Sequence, residues 1–171
     1  MALSDYINRR YDYLALRGVT APGDALLGLE LFNENTSGEI CTGIQKLSQR
    51  WALEFLTESG SMTGRPDRGC NFMRAARQGL LRVPINVRTE FSAADAVIRQ
   101  NLIAEETDDM PLDEQFLAAE LTNFSVLPGY AVDSATGASA NFLSLQVTLT
   151  SRAENNRALI LPIELTPRSD Q

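Results

Sequence analysis

The residues of this chain that could do acid–base chemistry are carboxylates. Glu54 and Glu58 stand four residues apart, about one turn of a helix, and Glu105 and Asp109 repeat that spacing. A glycosidase needs two carboxylates about 5 to 10 Å apart, one of them with a raised pKa. Such pairs are also common on solvated faces, and Asp and Glu supply 22 of the 171 residues. We therefore interpret Glu54 and Glu58 as surface or interface charges and predict no catalytic residue.

Other catalytic groups are absent or scarce in the sequence. There is no histidine, which excludes a Ser-His-Asp or Cys-His nucleophile and any His-ligated metal. Cys41 and Cys70 do not form a close CxxC pair, and two thiolates without histidine make a poor zinc site. We predict no cofactor and no metal. Both cysteines are expected to be free, buried thiols in a chain made in a reducing cytoplasm.

The charge balance argues against nucleic acid as a partner. The formal net charge is -7 and the pI about 4.6, whereas neutralising phosphates needs clustered Lys and Arg. Lys46 is the only lysine among 15 basic residues. Arginine is enriched at protein interfaces, although a GC-rich coding bias would produce the same excess. No apolar run is long enough for a membrane span or a signal-peptide core.

The stretch from Gln45 to Phe72 predicts two helices joined by a turn. Apolar residues at helical spacing, including Trp51 and Phe55, give the first helix, about Thr42 to Glu58, one buried face. The turn contains the structural residues Gly60, Pro66 and Gly69, which we expect to set the second helix against the first.

Two helices are predicted after this turn, and the first of them is the second helix named above. One covers Cys70–Leu81, with a breaking phrase at Val83 to Ile85. The next begins at Thr89 or Ser92 as N-cap and ends near Ala104. Several acidic residues follow, and carboxylates at a helix C-terminus are unfavourable with the helix dipole unless an outside cation pairs with them.

The final third changes to an alternation of period two, which predicts strands. The strands are 116–127, with a bulge near Asn123, then 142–153 and 158–166. Pro162 lies inside the last strand and cannot donate to a ladder, so this strand should lie at an edge or carry a bulge. An apolar edge is a pairing surface. The residues predicted to bind a partner along it are Leu159, Ile160, Leu161, Pro162, Ile163 and Leu165.

The expected fold class is therefore α+β, with helices in the first two thirds and a small antiparallel sheet formed mainly by the C-terminal third. The length favours one globular domain, divided into an N-terminal arm at 1–41 and the main domain at 42–171. The arm contains two candidate strands, 13–17 and 26–32. It either packs on a partner or lies on its own domain.

The order of these features resembles the baseplate wedge subunits of contractile-tailed phages that are called gene-25-like or tail-lysozyme-like. The resemblance rests on a helix ending in Leu56 and Thr57, then Gly60, Pro66 and Gly69, a long helix and a terminal hairpin. It covers roughly residues 42 to 166, so it implies little about the structure or function of the arm. In that family a Glu-Pro-Arg phrase often precedes the terminal sheet. Here the region reads Asp113, Glu114, Gln115, and the resemblance implies a partner contact only for Glu114.

Despite the family label, this resemblance implies a structural role rather than lysozyme activity. Such subunits join other wedge proteins and offer terminal strands on which the first tail sheath subunits assemble. The implied partners are wedge subunits, the sheath protein and the tail tube or hub, in several copies of a sixfold assembly. The implied location is the virion baseplate. Two alternatives stay open, a peptidoglycan-degrading tail lysozyme and a tail assembly chaperone absent from the finished particle.

Overall fold

The computed structural model describes residues 12–13, 40–127 and 141–165. The predicted α+β class is confirmed. Three helices precede a three-stranded antiparallel sheet in the order β3-β4-β5, and a two-residue ladder, β1-β2, lies before them. The elements are β1 (Asp12–Tyr13), β2 (Ile40–Cys41), α1 (Gly43–Leu56), α2 (Phe72–Arg77), α3 (Pro84–Ala104), β3 (Phe116–Leu127), β4 (Asn141–Ser151) and β5 (Asn156–Leu165).

Helix α1 buries the face that its sequence predicts. Leu47, Trp51 and Phe55 have no exposed surface. The rings of Trp51 and Phe55 are stacked with centroids 4.9 Å apart, and Phe72 of α2 and Phe91 of α3 lie 4.7 and 5.8 Å from Phe55. Aromatic rings at these separations prefer offset or tilted arrangements over a face-to-face sandwich. One aromatic cluster therefore joins all three helices.

The second predicted helix is shorter than expected. It ends at Arg77, and a separate 3-10 turn follows at Leu80–Arg82. Gly79 between them has a φ of +71°, a left-handed conformation that stops an α-helix. The prediction of one continuous helix over Cys70–Leu81 is thus wrong.

Helix α3 begins earlier than predicted. Thr89 and Ser92 are not N-caps, because the helix starts at Pro84 with Val83 as its N-cap. Proline at the first helical position loses no hydrogen bond, and its fixed φ suits a helix. The Val83 to Ile85 phrase therefore starts a helix rather than only ending one. The predicted end near Ala104 is confirmed.

The sheet packs one face against the helices. Leu143, Leu145, Val147 and Leu149 of β4 are fully buried, whereas Gln146 on the opposite face is exposed. Helix α3 lies along β3, where the Arg88 and Arg99 guanidinium groups stand 5.4 Å from the Phe124 and Phe116 ring centroids, respectively. Helices α1 and α2 lie over the β5 side.

The strand register explains the two irregularities expected from the sequence. The pairing of β3 with β4 shifts between Leu121 and Asn123, which confirms the predicted bulge, and also between Phe116 and Ala118. The pairing of β4 with β5 runs without a shift and places Pro162 opposite Ser144. Among the described residues, Pro162 therefore lies in an edge strand without a bulge, one of the two outcomes predicted.

The cysteines are free and buried, as predicted. Burial raises the pKa of the Cys41 and Cys70 thiols to about 11, so both stay protonated and weakly nucleophilic near neutral pH. Of the N-terminal arm, only Asp12–Tyr13 and Ile40–Cys41 are described, and they pair antiparallel. The remainder of the candidate strand 13–17 and all of 26–32 lie outside the described residues.

Candidate functional site: a sheet edge and two carboxylate centres

The outer edge of β5 is free of any strand partner within the described ranges 12–13, 40–127 and 141–165. The Ser151 N–H donates to the Asn155 carbonyl at 3.0 Å, and this pair continues the register of β4 with β5. Bonded and non-bonded pairs alternate in an antiparallel ladder. The odd-numbered residues of β5 therefore bond to β4, and the N–H groups of Ala158, Ile160 and Glu164 point to the open edge.

Pro162 falls among these outward-facing positions. Pro162 has no N–H, but this removes no hydrogen bond to β4, because Pro162 and Ser144 form a non-hydrogen-bonded pair of the ladder. It leaves a gap between the outward donors of Ile160 and Glu164. With Asn156 at the start of the strand, an incoming strand would find three donors, then an interruption at Pro162, then a fourth donor at Glu164.

The predicted partner-binding residues of β5 divide between two environments. Leu161, Ile163 and Leu165 are 1, 1 and 6% exposed and belong to the core. Leu159, Ile160 and Pro162 are partly buried. The edge therefore offers mainly backbone groups, together with the outer-face side chains of Ile160 and Pro162.

The opposite edge of the sheet has a different shape. Strand β3 carries extra residues at Leu117 and Thr122, where its register with β4 shifts. Bulges bend and twist a strand and interrupt its row of backbone groups. The straight ten-residue ladder of β5 is the better template for an added strand.

The first carboxylate centre lies where the turn after α1 meets the end of α3. Arg68 in this turn binds Glu54 of α1 and Glu105 beyond α3 through ion pairs. Arg50 also binds Glu105 at 2.8 Å, and Arg65 lies 3.4 Å from it. The sequence predicted either a helix end near Ala104 or an outside cation beside these carboxylates, and the structure has both.

Glu54 also holds the backbone of the turn. Its Oε2 accepts from the Gly69 N–H at 3.0 Å and from the Asn101 amide at 3.2 Å. The Asn101 amide also donates to the Asp67 carbonyl at 3.4 Å. Helix α1, the turn and α3 are therefore joined through one carboxylate whose residue is 7% exposed.

The electrostatics of this centre favour the ionised form of Glu105. Burial alone would raise the pKa of Glu105, but hydrogen bonds from Arg50 and Arg68 and their charges lower it. A glycosidase acid needs the opposite shift. The structure brings Glu54 together with Glu105. Glu58 instead pairs with Arg74 and Arg77.

The turn itself is closed by backbone hydrogen bonds that involve Gly60 and Pro66, two of the residues predicted to set the second helix against the first. The Gly60 N–H donates to the Pro66 carbonyl at 3.1 Å, and the Cys70 N–H donates to the Thr57 carbonyl at 2.9 Å. Gly69 has a φ of +82°, and a Cβ there would lie 2.4 Å from the Thr57 oxygen. Only glycine fits this approach.

The second carboxylate centre lies at the start of α1. Thr42, its N-cap, makes no side-chain cap bond, and the first turn contains no acidic residue. Glu114 supplies the missing acceptor: its Oε1 accepts from the Gly43 N–H at 3.2 Å, and its Oε2 binds Lys46 at 2.7 Å. Glu114 is 2% exposed, so its carboxylate is used within the chain. Sequence spacing gave no signal for either centre, because their members are up to 71 residues apart.

Comparison with known proteins gives no relative: no family model, no curated protein and no solved structure matches this chain. Within the described residues, no group of three or more Cys, Asp or Glu side chains is arranged to hold a metal ion. No helix in the described part of the chain has both the length and the apolarity to cross a membrane.

Proposed function

We propose that this chain is a structural subunit of a phage tail baseplate wedge, and that the open edge of β5 receives an extended strand from a tail sheath subunit. The observation that carries this proposal is the straight β5 ladder at the sheet edge. Its inner side chains are anchored in the core, and its outward N–H groups have no strand partner in the described ranges. Strand addition uses backbone groups for affinity. The order of helix, glycine turn, long helix and hairpin is the second support.

The carboxylate centres support a structural role over the glycosidase alternative. Glu54 and Glu105 share the Arg68 guanidinium, so both carboxylates are used in ion pairs within the chain. Because its pKa is lowered, the Glu105 carboxylate is suited to holding helices together through ion pairs rather than to donating a proton.

The test uses a substitution that blocks the edge without touching the core. Deleting β5 would remove Leu161, Ile163 and Leu165 from the core and would unfold the domain. Ile160→Pro instead removes one outward N–H and repeats the chemistry that Pro162 already has. Val126→Pro is the matched control, since it makes the same change at an outward position of β3.

Particles made with each variant are examined by electron microscopy and mass spectrometry. We expect Ile160→Pro subunits in baseplates that lack attached sheath, and normal sheath with Val126→Pro. Full-length sheath on Ile160→Pro particles would refute strand addition at β5. Absence of the wild-type chain from purified particles would instead favour the assembly-chaperone alternative.

A further inference from the structure

Positive and negative charge are segregated on either side of α3. Residues 74–89 contain four arginines and no Asp or Glu, whereas residues 100–151 contain no Lys or Arg. Helix α3 has 21 residues, which at 1.5 Å per residue gives a length of about 31 Å. The segments before and after it therefore carry opposite charge at well-separated places.

The segment before α3 is also apolar on its surface. We name as the basic end the residues Arg77, Leu80, Arg82, Val83, Ile85 and Arg88. Leu80, Val83 and Ile85 are 45, 51 and 64% exposed. Arg74 and Arg77 share the single carboxylate of Glu58, so positive charge remains in excess beside these side chains.

The segment after α3 combines an apolar side chain with the opposite charge. We name as the acidic end the residues Asp108, Asp109, Leu112 and Glu154. Leu112 is 58% exposed, and its carbonyl accepts from the Ala153 N–H at 3.1 Å, which brings the β4–β5 turn alongside. Glu106 pairs with Arg152 at 2.9 Å. Asp108 and Glu154 are exposed and add negative charge.

We propose that the basic end of one copy docks on the acidic end of a second copy. Exposed apolar side chains beside a surplus of charge mark interaction surfaces, and the two ends differ in sign. Helix α3 holds them apart, so a single molecule cannot pair its own two ends. Because two different patches meet, the contact is heterologous and joins copies head to tail in a ring or a filament.

The small apolar area predicts a weak contact. Three apolar side chains at one end and one at the other suit an interface at the low end of the size range, below roughly 1,200 Å² in total. Association should therefore appear only at high protein concentration. It should weaken as salt is added, because exposed charges are screened beyond about 8 Å at physiological ionic strength. This inference stands independently of the role proposed for β5.

Sedimentation of the full chain tests head-to-tail docking by complementation. Ile85→Asp disables the basic end and Leu112→Arg the acidic end, so each variant alone should remain at the monomer mass of 18.8 kDa at every concentration. An equimolar mixture should form a dimer and nothing larger, since each variant retains the end that the other has lost. The wild type should grow beyond the dimer.

Two controls keep the test specific. Val97→Asp and Leu53→Arg change apolar side chains that are 41 and 38% exposed and lie outside both ends, and they should associate as the wild type does. Circular dichroism confirms that each variant is folded. The proposal is overturned by a wild type that stays monomeric up to its solubility limit, by a mixture that forms no dimer, or by controls that lose association equally.

Discussion

Glu54 on α1 and Glu105 beyond α3 bind the same guanidinium, that of Arg68. Two carboxylates that are 51 positions apart in the sequence (105 − 54) thus meet through a residue of the intervening turn. The arrangement fixes the turn between two helices. Its charges are largely buried, since the side chains of Glu54 and Arg68 are 9 and 13% exposed.

Removing Arg68 should strongly destabilise the protein. Arg68→Met leaves Glu54 buried without its cation, and breaking a buried pair in this way costs about 3 to 5 kcal/mol. Arg65→Met is the control, because Arg65 is 55% exposed at 3.4 Å from Glu105 and should cost under about 1 kcal/mol. Urea unfolding at neutral pH measures both. Equal losses would show that Arg68 contributes no more than a surface charge.

The lowered pKa of Glu105 predicts a loss of stability in acid. Arg50 and Arg68 hold this pKa below its unfolded value, which for Glu is about 4.3. The resulting stabilisation is complete above that unfolded value and is lost as the pH falls through the folded one. Glu105→Gln should therefore unfold with a weaker pH dependence below about pH 5. Unchanged acid sensitivity would contradict this assignment.

Three glycines of the turn should respond differently to a methyl group. In Gly69→Ala the new Cβ would lie 2.4 Å from the Thr57 carbonyl oxygen, and the residue would have to keep a φ of +82°. The loss of stability should therefore exceed the roughly 1 to 2 kcal/mol that a left-handed conformation alone costs. Gly60 has a φ of +83° with open space around it, so Gly60→Ala should cost about 1 kcal/mol. Gly64 has neither constraint, and Gly64→Ala should be neutral. Thermal unfolding of the series gives the order, and any other order contradicts the clash.

Glu114 and Lys46 should show strong energetic coupling. A double-mutant cycle with Glu114→Gln and Lys46→Met isolates their pair, and residues in such contact couple by about 0.5 to 3 kcal/mol. We expect the upper half of that range, because the Glu114 side chain is 2% exposed and the Nζ–Oε2 distance is 2.7 Å. The longer pair Arg99–Asp95, at 3.8 Å with the Arg99 side chain 44% exposed, is the comparison cycle. Coupling no larger than in that pair would contradict the assignment.

The protein should be more stable when the Asp95 side chain carries no charge. Burial raises its pKa, and the charge of Arg99 opposes only part of that shift. Since the folded pKa exceeds the unfolded one, the destabilisation appears as the pH rises through the folded value. Asp95→Asn should therefore increase stability at neutral pH and lose this advantage in acid, whereas exposed Asp108→Asn should change little. A destabilised Asp95→Asn at neutral pH would show that the ionised carboxylate is needed.

The sequence by itself determined the elements whose patterns are local. The stripe through Trp51 and Phe55 specified the buried face of α1, because one helical turn brings such residues together whatever surrounds them. The alternation in β4 and β5 specified their inner faces, and the ring of Pro162 limited β5 to an edge position or a bulge. The start of α3 was predicted wrongly, since hydroxyl side chains at Thr89 and Ser92 competed with the preference of Pro84 for the first turn.

The tertiary structure alone decided which charges meet. Arg68 pairs with Glu54 and Glu105 because the folded turn lies between α1 and α3. Glu114 caps α1 because the fold brings it next to Gly43, which is 71 residues away in the sequence. Ion pairs of this kind depend on distance in space and not on spacing in the chain. They leave no periodic signature in the sequence, whereas burial along a helix or strand does.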